Sequence, residues 1–316
     1  MARYLEQRLK IRHLRVIEAL DQHKSLLRAS KALGVSQPGL SRTLQEVEDI
    51  VGCELFERHP RGVQPNAVGR LLARGAQRLL GGMRQIEADL GELFEEHKRT
   101  IRVGALPVAA HGLLPTVISD ATDRGSHLGV EVIEGLTTQL LPALHSGEID
   151  VVVGRLYEPD APDGLIRRAL YSEPVGLIAR SDHPLFELDG VTAEDVRRFH
   201  VVSPAVSTRV EHDVRTALSA MQVDLDVSIR STSVGFMREL LLTGNFISAM
   251  PKVLVAGDLE RGLLRLIPIP LPAPPRRAGI IYREGLSDAG KLLVAAIGRE
   301  VERLAASGII DAFNED

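Results

Sequence analysis

The stretch "SLLRASKALGVSQPGLSRTLQEVEDIVG", Ser25 to Gly52, decides how the rest of the chain is read. Its first half is a short helical pattern, with Ser25 as a cap and Gly34 where a C-terminal glycine belongs. A second helix starts at Ser36, which caps it. Pro38 falls inside the first turn, where the N–H it lacks would have had no partner in any case. Leu40, Leu44, Val47 and Val51 recur at the spacing of one helical face. The opposite face carries Gln37, Ser41, Arg42 and Gln45. Two helices joined at a glycine, the second with a polar outer face, predict a helix-turn-helix. The side chains suit duplex DNA: Gln37 and Gln45 pair with adenine edges, Arg42 with guanine or phosphate, Ser36 and Ser41 with either. The plainer alternative is a three-helix bundle with solvated polar positions.

Working outward, "LKIRHLRVIEALDQ" has apolar residues at 11, 14, 16, 17 and 20 and predicts the bundle's other helix. Downstream, "CELFERHPRGVQPN" places Pro60, Gly62 and Pro65 around short extended pieces, a two-stranded wing. Arg58 and Arg61 on it are within reach of phosphates or a narrow minor groove. Asn66 is positioned to cap a long helix from Ala67 to about Lys98. Within that helix Leu72, Ala76, Leu79, Met83, Ile86, Leu90 and Leu93 follow a heptad spacing. Such a seam expects the same helix of a second subunit, the alternative being its own body. Gly81 and Gly82 weaken the helix locally.

From Thr100 the period changes. Short β-rich runs such as "TIRVGAL", "IDVVVGRL", "VGLIARS" and "FISAMP" alternate with helical patterns, which predicts parallel sheets covered by helices. The length of this part and the Pro-rich return "PIPLPAPPRR" predict two lobes, with the chain crossing near Ser172–Pro174 and again near Ala273–Arg276. The expected layout is therefore 1–66, an all-α winged helix-turn-helix; 67–98, a linker and dimerisation helix; and 99–316, an α/β two-lobed domain. Lobe 1 takes about 99–172 and 275–316, and lobe 2 about 173–274.

Composition narrows the function. A 44% hydrophobic, 25% charged chain of 316 residues is long enough for two or three cores. No run approaches a membrane span, and the charged N-terminus does not read as a secretion signal, so a cytoplasmic protein is expected. The net charge of −4 is unevenly spread. Residues 1–99 hold 17 Lys and Arg against 13 Asp and Glu, and the remainder is net −8. A basic front on an acidic body expects a polyanion at the N-terminal end. No P-loop, GxSxG, HExxH or GxGxxG pattern is present and the His residues lack metal-ligand spacing, so neither catalysis, a metal nor a cofactor is expected. The enzyme alternative is a two-lobed α/β enzyme carrying a DNA-binding domain. The redox alternative rests on Cys53, the one cysteine, whose neighbours Leu55 and Phe56 suggest a core thiol instead.

"ASKALGVSQPGLSRTLQEVEDIVGCELFERHPRGVQPNAVGR" resembles the N-terminal domain of LysR-type transcriptional regulators. In that family a "VSQPALSR" recognition helix, a "LE..LG..LF.R" segment and a basic wing occur in this order. Gly39 stands where alanine or serine is usual, and "VQPNAVG" replaces the usual threonine-containing turn. The resemblance extends to the whole chain. It implies a periplasmic-binding-protein-like pair of lobes with a small-molecule effector between them, and positions matching Thr137 and Arg155 facing that cleft.

From the residues, strand ends followed by helix N-termini are candidate ligand sites. They comprise Pro107 and Val108 in the loop "ALPVAAHG", Thr137 and Thr138, Arg155, Ser203, Ser207 and Thr208, and Ser231, Thr232 and Ser233. Helix capping or a surface ion pair is the alternative for each. Within the family, "RVGALPVAAHGLLP" and "RHLRVIEAL" are most similar to the branch of the protocatechuate and galactose-binding-protein regulators. That implies a sugar, sugar acid or aromatic-derived acid as effector. The expected partners are double-stranded DNA at a pseudo-palindromic site, a homodimer or dimer of dimers, and RNA polymerase if the protein activates.

Overall fold

The computed structural model describes residues 5–59, 62–94, 100–123, 129–157, 163–204, 227–269, 271 and 276–313. By spatial contact the chain divides into two compact units, Met1–His97 with Leu141–Ile149, and Lys98–Leu140 with Asp150–Asp316.

The first unit begins with α1 (Leu5–Arg8), α2 (Ile11–His23), α3 (Leu26–Leu33) and α4 (Gln37–Val51). A hairpin of β1 (Phe56–His59) and β2 (Gly62–Pro65) follows, and then the long α5 (Ala67–Phe94). Its core is made by the predicted faces: Ile17 and Leu20 of α2, Leu40, Leu44, Val47 and Val51 of α4, and Ala73 and Ala76 of α5. Cys53 packs partly buried against the same core.

The remainder runs β3 (Thr100–Ala105), α6 (Pro107–Gly112), α7 (Leu114–Asp123), β4 (Gly129–Glu134), α8 (Thr137–Ser146), β5 (Val151–Arg155), β6 (Ile166–Ser172) and β7 (Val175–Arg180). Next come α9 (Ala193–Val196), β8 (His200–Pro204), β9 (Val227–Ser231), α10 (Val234–Thr243), β10 (Phe246–Pro251), α11 (Ala256–Glu260) and β11 (Leu264–Leu266). The chain closes with β12 (Arg277–Tyr282), α12 (Asp288–Ala306) and β13 (Asp311–Ala312). Two sheets result, one of six strands in the order β13-β6-β12-β5-β3-β4 and one of five in the order β11-β7-β10-β8-β9.

Both sheets are mixed, which corrects the expectation of parallel ones. β3 pairs in parallel with β4 and β5, and β8 with β9 and β10. The antiparallel pairs all involve β6, β7 or β12. These three strands flank the passages between the lobes, where direction is set by the crossing and not by a helical return. At the first passage the chain leaves the six-stranded sheet with β6, which ends at Ser172, and enters the five-stranded one with β7, which begins at Val175. Of the second, Arg276 is described and Ala273 to Pro275 lie outside the described residues. The passages are bonded to one another, since the Glu173 N–H donates to the Arg276 carbonyl at 2.9 Å.

"ALPVAAHG" is a short helix, not a loop. Pro107 occupies its first turn, a position helices tolerate. Gly112, at its end, lies against the 3₁₀ turn Lys252–Val255 so closely that an added Cβ would fall 1.6 Å from the Val253 carbonyl oxygen. Val253 and Ala256 follow β10 of the five-stranded sheet, yet both are buried in the core of the six-stranded one, among Ala105, Ala109 and Leu113.

Candidate functional site

The helix-turn-helix forms as the cap residues dictate. Gly34 closes α3 in the left-handed region at φ 66°, and Ser36 Oγ accepts a hydrogen bond from the Gly39 N–H at 3.2 Å. With one face of α4 buried, Gln37, Pro38, Arg42 and Gln45 are exposed and Ser41 is half-buried. Gln45 Nε2 donates to Asp49 Oδ1 at 3.0 Å, which orients its amide. A Cβ on Gly39 would come within 3.1 Å of Ser36 Oγ, so glycine here leaves room for the cap.

The wing is an antiparallel hairpin in which Glu57 faces Gln64 and Arg58 faces Val63. Near its turn end it is pinned to the end of α2, since the Val63 N–H donates to the Lys24 carbonyl at 3.0 Å. The backbone of Arg58 belongs to β1; its side chain, and Arg61 altogether, lie outside the described residues. Asn66 caps α5 as expected: its Oδ1 accepts from the Gly69 N–H at 2.9 Å, and its Nδ2 donates to the Glu54 carbonyl at 2.7 Å.

The predicted seam on α5 divides into two parts. Leu72 and Ala76 pack into their own core, because this end of α5 lies over α2. Leu79, Met83, Ile86 and Leu90 are exposed, at 62%, 39%, 59% and 45% of their surface. The Leu93 side chain lies outside the described residues.

In the two-lobed part, a cavity of about 350 Å³ is lined by five of the predicted residues, Pro107, Val108, Thr137, Thr138 and Arg155. Thr137 and Thr138 open α8, so their backbone N–H groups belong to the first turn, where helices leave donors over. Arg155 Nη1 donates to the Tyr157 hydroxyl at 3.3 Å. Ser203, Ser231, Thr232 and Ser233 are not among the lining residues. Ser203 is buried in β8, and Ser233 caps α10 by accepting from the Phe236 N–H at 3.2 Å. Ser231 Oγ accepts from the Ser233 N–H at 3.0 Å, and Thr232 is exposed. Ser207 and Thr208 lie outside the described residues.

The sequence reading missed two charged lining residues, Glu173 and Arg276, together with Tyr157. The remaining wall is apolar and comes from both lobes, including Leu106 and Leu136 on one side and Val234, Met237 and Leu254 on the other. Glu173 and Arg276 are 3% and 6% exposed. Burial pushes the Glu173 carboxyl up to about 7, against the pull of the Arg155 and Arg276 charges, which lower it. Their signal in the sequence was position: each stands at a predicted crossing between lobes. Among the described residues, no group of three or more His, Cys, Asp or Glu is arranged to hold a metal ion. No helix among them is long and apolar enough to cross a membrane.

Comparison with known families matches residues 11–70 to the "bacterial regulatory helix-turn-helix protein, lysR family" and residues 94–301 to the "LysR substrate binding domain". The chain belongs to the LysR family of transcriptional regulators. It is thus a sequence-specific DNA-binding regulator with a small-molecule effector domain. Its LysR relatives include the regulator PcaQ of Agrobacterium fabrum, 29% identical over 312 residues that cover 98% of this chain and 99% of PcaQ. Another is the regulator YdcI of Escherichia coli, 30% identical over 93% of this chain and 97% of YdcI. Among solved LysR structures, a full-length OxyR variant from Pseudomonas aeruginosa matches with a TM-score of 0.61 at 21% identity, covering 98% of this chain and 99% of that one. That likeness speaks for the two-part fold.

Proposed function

We propose that the cavity between the lobes binds a small organic acid with an apolar body, and that its occupancy changes how paired recognition helices sit on DNA. The observation that carries this reading is the lining itself. Two guanidinium groups and the start of α8 favour an anion, while most of the wall is apolar. Of the effector classes the sequence suggests, an aromatic-derived or similar acid fits this wall better than a sugar, whose hydroxyls would meet apolar carbon. The acid is bound and released unchanged, and it acts only through unequal affinity for two arrangements of the lobes.

In this reading residues 1–66 hold the DNA, 67–98 pair two subunits, and 99–316 hold the effector. Ser36, Gln37, Pro38, Ser41, Arg42 and Gln45 meet the major groove, and the wing arginines meet the backbone. The exposed row Leu79, Met83, Ile86 and Leu90 pairs with its copy and sets the spacing of two recognition helices on a pseudo-palindromic site. Two such dimers make the tetramer, and an activating form would contact RNA polymerase. DNA as partner places the protein's work in the cytoplasm.

The test is a fluorescence-polarisation titration on the DNA upstream of the protein's own gene, against scrambled DNA, at two salt concentrations. Sugars and organic acids are added in turn. Specific binding that shifts with an acid supports the reading, and a response to sugars alone overturns the acid assignment. Weak binding equal on both DNAs overturns the DNA assignment.

Two substitutions extend it. Arg42→Ala is expected to cost about 1–3 kcal/mol on the specific site and to relax selectivity at one base position. An equal loss on every sequence would make Arg42 a phosphate contact. Replacing Leu79 and Ile86 together by Glu is expected to shift the species seen in analytical ultracentrifugation towards the monomer. An unchanged dimer would exclude this row as the seam.

A further inference from the structure

Resting on the reading of the cavity as an effector site, we propose that Glu173 is its specificity-determining residue. Its carboxylate accepts a hydrogen bond from a hydroxyl of the effector, so that the protein selects hydroxy acids over the corresponding plain acids.

Glu173 lines the cavity, is 3% exposed, and its Oε1 has no hydrogen-bond partner among the described residues. A buried acceptor left unbonded is costly, so its place on a ligand-sized cavity asks for a donor from the ligand. The backbone fixes its aim. The Glu173 N–H is held by the Arg276 carbonyl at 2.9 Å, and the Pro174 carbonyl accepts from the Lys252 N–H at 3.0 Å. The side chain therefore leaves from a main chain bonded on both sides.

The surroundings choose among donors. An ammonium group would bring a further cation beside Arg155 and Arg276, whose charges already act on Glu173. A hydroxyl supplies the hydrogen bond and no charge. A ligand whose only polar group is its carboxylate offers nothing to Oε1 and adds like charge near it. The class that satisfies the whole cavity is a carboxylate with an apolar frame and one hydroxyl at the Glu173 end. Glu173 also stands on a passage between the lobes, so a hydroxyl bonded to it reports directly on the segment about which the lobes are joined.

The experiment is calorimetric titration of the full-length chain at pH 8 with benzoate, its three hydroxy isomers and the three fluoro isomers. Cyclohexanecarboxylate and its hydroxy isomers form a second, saturated set. Fluorine approximates a hydroxyl in size and cannot donate. At least one hydroxy acid is expected to bind about 10–100-fold more tightly than its plain parent, the range for a hydrogen bond to a charged group, and its fluoro analogue is expected to lose that gain. In Glu173→Leu the gain of the hydroxy acid over its plain parent should fall to about threefold or less.

A fluoro acid that binds as well as its hydroxy partner overturns the proposal on the unaltered protein, whether or not the variant folds. A hydroxyl gain that survives in Glu173→Leu does the same. Plain acids that bind with no hydroxyl preference leave the effector reading standing and remove Glu173 from it. Failure of every acid overturns the acid reading and this assignment together.

Discussion

At pH 8 the Glu173→Gln variant is expected to unfold at a temperature several degrees higher than the unsubstituted chain, and at pH 4 the difference should nearly vanish. Burial raises the folded carboxyl from 4.5 to about 7. At about 1.4 kcal/mol for each tenfold change in proton affinity, that rise corresponds to about 3 kcal/mol. The sign follows from which state holds the proton. Between the two values the folded chain keeps a proton that the unfolded chain has released. Stability is therefore greatest below about 4.5, falls as the pH rises through 4.5 to 7, and stays reduced above. Glutamine has the shape of the protonated acid and nothing to release, so it escapes the fall. The check is a pair of melting curves at the two pH values without effector. An equal difference at both would mean that Glu173 is not held protonated by the fold.

The second large effect is expected at Gly112. Helix propensity alone predicts that Gly112→Ala should gain about 1 kcal/mol, since alanine is the better helix former. Packing reverses this. The added methyl carbon would lie 1.6 Å from the Val253 carbonyl oxygen and 2.5 Å from its carbon, both backbone atoms with no rotamer to yield. Val253 is fully buried, so the 3₁₀ turn cannot retreat without opening the core around it. Overpacking of this kind costs about 1–3 kcal/mol or more, and here the upper end is expected. A urea titration followed by circular dichroism measures it. A midpoint at or above that of the unsubstituted chain would refute the contact.

What was legible in the sequence was local. Ser36, Gly34 and Asn66 announce helix ends because capping is a matter of the nearest few residues, and all three do what their type predicts. The spacing of Leu40, Leu44, Val47 and Val51 identified the buried face of α4 because burial repeats with the helical turn. Strand β6 was not recognised because "IRRALYS" places charged residues where a covered strand would show apolar ones. The antiparallel pairing of β12 was not legible either, since direction is a property of the partner strand. The cavity was half visible. Thr137 and Arg155 stand at the ends of recognisable elements, whereas Glu173 and Arg276 acquire their meaning only where two distant passages meet. Ser231 and Ser233 have the right chemistry, and local hydrogen bonding engages it first.

The placement of Val253 and Ala256 bears on how such regulators can be recombined. The segment 173–274, exchanged as a cassette to give the chain a relative's selectivity, would look self-contained because it begins and ends at the passages. It would nevertheless carry two side chains that complete the interior of the other lobe, beside Ala109 and Leu113. A chimaera built that way would inherit a foreign piece in its recipient's core, and only donors matched at those two positions would leave it intact.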